Sequence, residues 1–201
     1  MTNLLLLSTG GLIGIIVGAL VLLLVIILIA WWIGTRNGFV RLKNKVEEAW
    51  ATIDVYLKKR YDLIPNLVET VKGYANHESE TLKEVISARS AAMQAKTPAE
   101  KTVAEQGLDS SLRTLFTAVA ENYPDLKANS NFLDLQNQLK TLESEIERSR
   151  RYYNGVVKAF NTKLEVFPAN IVGRGMGEEY QKRPYFELTN AQERENVQVR
   201  F

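Results

Sequence analysis

No cysteine occurs in the 201 residues, which excludes a disulfide framework, a thiolate nucleophile, a cysteine-based metal site and a lipoprotein attachment cysteine. Histidine occurs once, at His77, and this excludes the two-histidine zincin pattern and the paired Glu-x-x-His motifs of di-iron bundles. His77-Glu78 opens like a zincin signature, but the fourth residue after His77 is Thr81, so a helix-end histidine is the better reading. Neither sign of charge dominates. The 25 basic and 23 acidic side chains leave a net charge of +2, spread too evenly to form a nucleic-acid footprint. No nucleic acid is expected as a partner.

The most telling absence is local. From Met1 to Gly34 there is no Asp, Glu, Lys or Arg, so two solvents are implied for one chain. Residues Gly11 to Ile33 are almost wholly apolar, and about 20 such residues cross a ~30 Å hydrocarbon core as a helix. A cleaved signal peptide would want a basic flank, an apolar core of only ~7–15 residues and a small-residue cleavage site, and the segment has none of these. Trp31 and Trp32 mark its C-terminal edge, where indole rings favour the headgroup region. Arg36, Arg41, Lys43 and Lys45 follow, with no basic residue before the span, so the N-terminus is expected outside and the remainder in the cytoplasm. Gly10, Gly14 and Gly18 recur every four residues and would let two such helices approach closely, although glycine is also simply frequent in membrane helices.

Beyond the span the periodicity is helical. Leu42, Val46, Ala49, Ile53, Leu57, Ile64, Val68, Val71 and Ala75 keep three- and four-residue steps, a heptad-like seam. Gly34 and Gly38 are candidates for a hinge at the membrane exit. Pro65 should kink this helix and free the carbonyl of Tyr61, with an end expected near Gly73 or Asn76-His77. Thr97-Pro98 with Glu100 forms a capping box at the start of a further helix, whose seam is Leu108, Leu112, Leu115 and Val119. That helix should end at Tyr123-Pro124-Asp125. Asn131-Phe132 opens the last helix, with Phe132, Leu135, Leu139, Leu142, Ile146, Ser149, Tyr153, Val156 and Phe160 nearly in strict heptads. The fold class expected is all-α: a single N-terminal transmembrane helix and an antiparallel bundle of three to four long helices. The expected divisions are a tail at 1–9, the span at 10–34, the bundle at 35–168 and an irregular, extended C-terminal tail at 169–201. The alternating Val197 to Phe201 could form a short strand.

Few residues suggest chemistry. Gly173-Arg-Gly-Met-Gly177 follows a helix and a Phe-Pro turn, whereas a phosphate-cradling loop needs a strand before it and a helix after it. Glu143, Glu145 and Glu147 are expected on a solvated helix face, with Glu147 paired to Arg151. The unusual set is polar and aromatic and lies near the seams: Arg60, Tyr61, Asp62 and Asn66, then Arg150, Arg151, Tyr152, Tyr153 and Asn154. Such groups either fix register between helices or form a ligand or partner site. For Asp62 the expected partner is Arg150 or Arg151. A donor from that same helix is expected on the freed Tyr61 carbonyl.

Arg60-Tyr-Asp-Leu-Ile-Pro-Asn-Leu-Val68 with Glu69-Thr-Val-Lys-Gly-Tyr-Ala75, Tyr123-Pro-Asp-Leu-Lys-Ala-Asn129, Arg150-Arg-Tyr-Tyr-Asn154 and Phe167-Pro168 together resemble the bacterial LemA family. The Tyr185-Phe186-Glu187 tail resembles it too. The resemblance implies an inner-membrane protein with one span, a helical-bundle domain and no established enzymatic activity. It also implies genetic neighbourhood with membrane zinc metalloproteases and small membrane-associated proteins. The family's motif residues fall on Arg60, Tyr61, Asp62, Pro65, Asn66, Tyr123, Pro124, Asp125, Arg151, Tyr152, Tyr153 and Asn154, and no known chemistry comes with them.

The function expected is a non-enzymatic, membrane-anchored scaffold or adaptor of the bacterial cell envelope, in the inner membrane, with no cofactor and no metal. Its expected partners are the lipid bilayer, a second copy of itself, and a membrane protease or other membrane protein. The alternative is a regulator or sensor whose bundle binds a ligand or a protease in envelope quality control.

Overall fold

A computed structural model describes residues 9–74 and 79–186. Among these residues there is no strand: six α-helices and one 3₁₀ turn account for the regular structure. They are α1 (Thr9–Lys72), α2 (Ser79–Gln94), α3 (Pro98–Asn122), α4 (Pro124–Lys127), α5 (Ser130–Glu165) and α6 (Ala169–Arg174), with the 3₁₀ turn at Glu178–Tyr180. The expected all-α class is what forms. His77, Asn76 and the stretch Val197 to Phe201 lie outside the described residues, as does Glu187.

The described residues divide into two compact units, one of residues 9–44 and 160–182, the other of residues 45–74, 79–159 and 183–186. Both α1 and α5 contribute to each.

In the first unit, α1 carries the one helical stretch among the described residues that is long and apolar enough to cross a membrane. Every large apolar side chain from Leu12 to Ile33 faces outward, as an apolar solvent would require. This is consistent with a membrane anchor. Gly34 and Gly38, the candidate hinge positions, do not interrupt α1. The end of the Lys163 side chain lies over Gly38, in the space that a Cβ there would take. Phe39 is buried and meets Phe160 edge-on at 6.4 Å, with Lys163 Nζ 4.9 Å from its ring. Gly173 on α6 closes the other side, where a Cβ would stand 2.9 Å from Leu164 and 3.1 Å from Phe39.

The second unit is a four-helix assembly of α2, α3 and the parts of α1 and α5 that belong to it. Trp50 meets Tyr153 and Arg60 meets Glu143, so α1 and α5 run antiparallel. Asp54 with Lys101 and Arg60 with Asp109 make α1 and α3 parallel, as an up-down bundle demands of alternate helices. The seams are buried as their spacing requires: Ile53, Leu57, Ile64 and Val71 on α1, Leu108, Leu115 and Val119 on α3, and Leu139 and Ile146 on α5.

Local signals set the ends. Thr97 Oγ1 accepts from Glu100 N while the Glu100 carboxylate accepts from the Lys96 and Thr97 amides, which completes the capping box. Those amides hold the Glu100 carboxyl below the usual range. α3 stops at Asn122, before Pro124 opens the short α4. Asn129 Oδ1 then accepts from the amides of Asn131 and Phe132, at 2.9 and 3.2 Å, and caps α5.

The 169–201 region, expected to be irregular, begins with α6 and the 3₁₀ turn, and has no regular structure from Lys182 to Phe186.

Candidate functional site

The polar set picked out by sequence resolves into two adjoining arrangements within the second unit. The first is a buried ion network. Arg60 lies on the seam of α1 between Leu57 and Ile64, so helical geometry forces its guanidinium into the core. Its Nη1 donates to Glu105 Oε2 at 3.0 Å and its Nη2 to Asp109. Glu143 stands 3.0 Å from Nη1 without hydrogen-bond alignment and acts there as a charge. The Tyr61 hydroxyl donates to Glu105 Oε1, with the Ala92 carbonyl at 3.3 Å. Arg150 Nη2 completes the group as an ion pair at 3.8 Å from Glu105.

Glu105 is the hub, with only 1% of its surface exposed. Burial pushes its carboxyl up, and the attraction of Arg60, the Tyr61 hydrogen bond and Arg150 only partly offsets this. Burial works against the Arg60 charge as well, yet Asp109, Glu143 and Glu105 outweigh it and raise its pKa. The Tyr61 phenol is pushed upward by burial and then by the Glu105 charge, so it stays neutral and serves as a donor. A substrate could not reach Glu105 without parting the helices. No group of three or more His, Cys, Asp or Glu is placed to hold a metal ion among the described residues.

The second arrangement is a clamp on the segment that ends at Phe186. Asn154 Nδ2 donates to the Phe186 carbonyl and Asn154 Oδ1 accepts from the Phe186 amide, both at 2.8 Å. One side-chain amide thereby satisfies both backbone groups of Phe186, as a neighbouring strand would. Tyr153 Oη donates to the Pro184 carbonyl at 3.1 Å. The Phe186 ring lies 6.0 Å from Trp50, and the Arg150 guanidinium covers it at 4.6 Å. Burial raises the Tyr153 phenol, against the nearby charge of Arg183. Arg150 therefore touches both arrangements.

Several expectations need correction. Asp62 does not pair with Arg150 or Arg151. It points outward and pairs with Lys58 one turn away at 2.7 Å. Arg151 bonds to Glu147 on the surface of α5, as its spacing indicated. The donor to the Tyr61 carbonyl is Arg89 of α2, at 2.7 Å, and not a residue of α5. Glu143, expected on a solvated face with Glu145 and Glu147, is instead drawn into the Arg60 network. Pro65, Asn66 and Tyr152 are exposed, as are Pro124 and Asp125, while Tyr123 is partly buried at the end of α3. The network and clamp do not gather these residues. In the span, a Cβ at Gly14 or Gly18 would meet nothing within 4 Å.

Glu105 was the residue missed, and it left a signal. It sits three residues before Leu108 and seven before Leu112, a charged group on an apolar seam. Asp109, Arg89, Trp50 and Phe186 left none that spacing alone could identify.

The LemA family profile matches residues 49–201. Protein LemA of Metamycoplasma hominis is 28% identical over 143 residues, which cover 71% of this chain and 65% of that relative. The matched region thus spans less than two thirds of the relative's length.

Proposed function

The chain belongs to the LemA family, and we propose that it is a membrane-anchored, non-enzymatic scaffold or adaptor of the bacterial cell envelope that self-associates. The observation that supports this reading is the mutual satisfaction of Arg60, Tyr61, Glu105 and Asp109 within the bundle. The groups best suited to chemistry are spent on holding four helices in register, and the role left to the domain is to present surfaces. The apolar helix supports an anchor in a bilayer, and the basic residues Arg36, Arg41 and Lys43 after the span favour a cytoplasmic domain in the inner membrane. Gly10, Gly14 and Gly18 offer one route to association, with lipid, a second copy and a membrane protease or other membrane protein as the partner classes.

Crosslinking in intact membranes followed by mass spectrometry tests the adaptor reading, which expects crosslinks to a second copy and to other membrane proteins. Recovery of the chain as a monomer without crosslinked protein would refute it. A ligand-binding regulator draws support from an open apolar depression of about 690 Å³ at the α2–α3 turn, lined by Ala91, Ala95, Ala99 and Val103. Thermal stabilisation of the purified chain by a small ligand would favour that alternative.

A further inference from the structure

We propose that the turn joining α5 to α6 is a second membrane contact, which inserts Phe167 and Ile171 into the bilayer interface beside the point where α1 leaves it. This rests on the reading of Gly11 to Ile33 as a membrane span.

Phe167 is 75% exposed and Ile171 63%, more than any large apolar side chain of the span itself, and Val166 beside them is 52% exposed. Apolar groups of this size clustered on one short segment mark a surface meant to be covered. Their position along α1 identifies what covers them. The last turn of α5 lies against Gly38 and Phe39, through Lys163 and Phe160. Packed in that sense and followed to its end, α5 advances toward the span. α5 runs two residues past Lys163 to Glu165, about 3 Å at helical rise, and the turn that follows therefore starts on the membrane side of Gly38. That level is the headgroup region, because Trp31, Trp32 and Ile33 end the apolar run just before it. α6 then returns with Val172 and Gly173 buried, Gly173 against Phe39, leaving Ile171 outward.

Charge agrees with the placement. Residues 35–44 and 160–182 carry six basic and three acidic side chains, an excess that suits an anionic lipid surface. Two contacts, the span and the turn, would fix the rotation of α1 about its own axis, which a single span leaves free.

The absence of cysteine makes the test direct, since single cysteines can be placed and spin-labelled without removing others. The full chain is reconstituted in vesicles of phosphatidylcholine and phosphatidylglycerol, with labels at Leu22→Cys, Phe167→Cys, Ile171→Cys and, as an aqueous reference, Glu121→Cys. Collision with oxygen and with a water-soluble nickel complex reports depth. The Leu22 label should lie in the hydrocarbon, and the Phe167 and Ile171 labels should be shielded from nickel several-fold relative to Glu121. Labels at Phe167 and Ile171 as open to nickel as Glu121, with Leu22 still deep, would overturn the second contact and leave the anchor standing. Nickel access at Leu22 as well would overturn both.

Discussion

Arg89 Nε donates a 2.7 Å hydrogen bond to the backbone carbonyl of Tyr61, the group that Pro65 leaves without its helical donor. α1 continues through Pro65 to Lys72 because a neighbouring helix supplies what the proline removed. Arg89→Ala should therefore cost about 1–2 kcal/mol in urea unfolding of the full chain in micelles. In a Pro65→Ala background, where residue 65 regains its N–H, the same substitution should cost less. Equal costs in the two backgrounds would show that the bond does not compensate for the proline.

The two charged residues of the Arg60-Tyr-Asp62 motif should behave oppositely. Asp62 and Lys58 pair on the surface, so Asp62→Ala should change stability by less than about 1 kcal/mol. Arg60→Ala leaves Glu105 buried with Arg150 only at 3.8 Å, and should cost about 3–5 kcal/mol. A double-mutant cycle of Arg60 with Glu105 should show coupling, whereas one of Asp62 with Arg150 or Arg151 should show none.

Stability should depend on pH through Glu105. Folding raises its carboxyl above the ordinary value of 4.5, so the folded state holds the proton more tightly than the unfolded one. That contribution is complete below pH 4.5 and is lost as pH rises through the raised folded-state value. Glu105→Gln cannot titrate. The native chain should accordingly lose stability relative to Glu105→Gln as pH climbs out of the acid range, and then level off. A relative gain over that window would mean that attraction to Arg60 outweighs burial.

Asn154 holds both backbone groups of Phe186, which makes the tail clamp readable by hydrogen exchange. In Asn154→Ala the Phe186 amide should exchange several-fold faster, while amides in the middle of α3 keep their native rates. An unchanged Phe186 rate would indicate that Trp50 and Arg150 hold the tail unaided.

The membrane side of the chain gives a further test. Gly14→Leu with Gly18→Leu should weaken self-association of the anchor in a membrane reporter, because the open face at these glycines would be filled. Ile15→Leu should leave the signal unchanged. Equal signals from all variants would remove the glycine face from the association.

Sequence alone determined whatever depends on neighbours along the chain. The uncharged run to Gly34 defined the candidate span, since hydrocarbon excludes charge over a fixed length. Seams at three- and four-residue steps defined the helices and their buried faces, and Thr97-Pro98 with Glu100 defined where α3 begins. Even the need for a donor at the Tyr61 carbonyl was legible, because proline chemistry is local. Which residue meets that need was not. Arg89 and Glu105 approach Tyr61 from α2 and α3, 28 and 44 residues along the chain. Several arginines and carboxylates satisfy the same periodicity, and only the packing of four helices selects among them. Phe186 presents the same case: its sequence context marks an apolar residue in a tail, and the bundle makes it the covered partner of Trp50, Arg150 and Asn154.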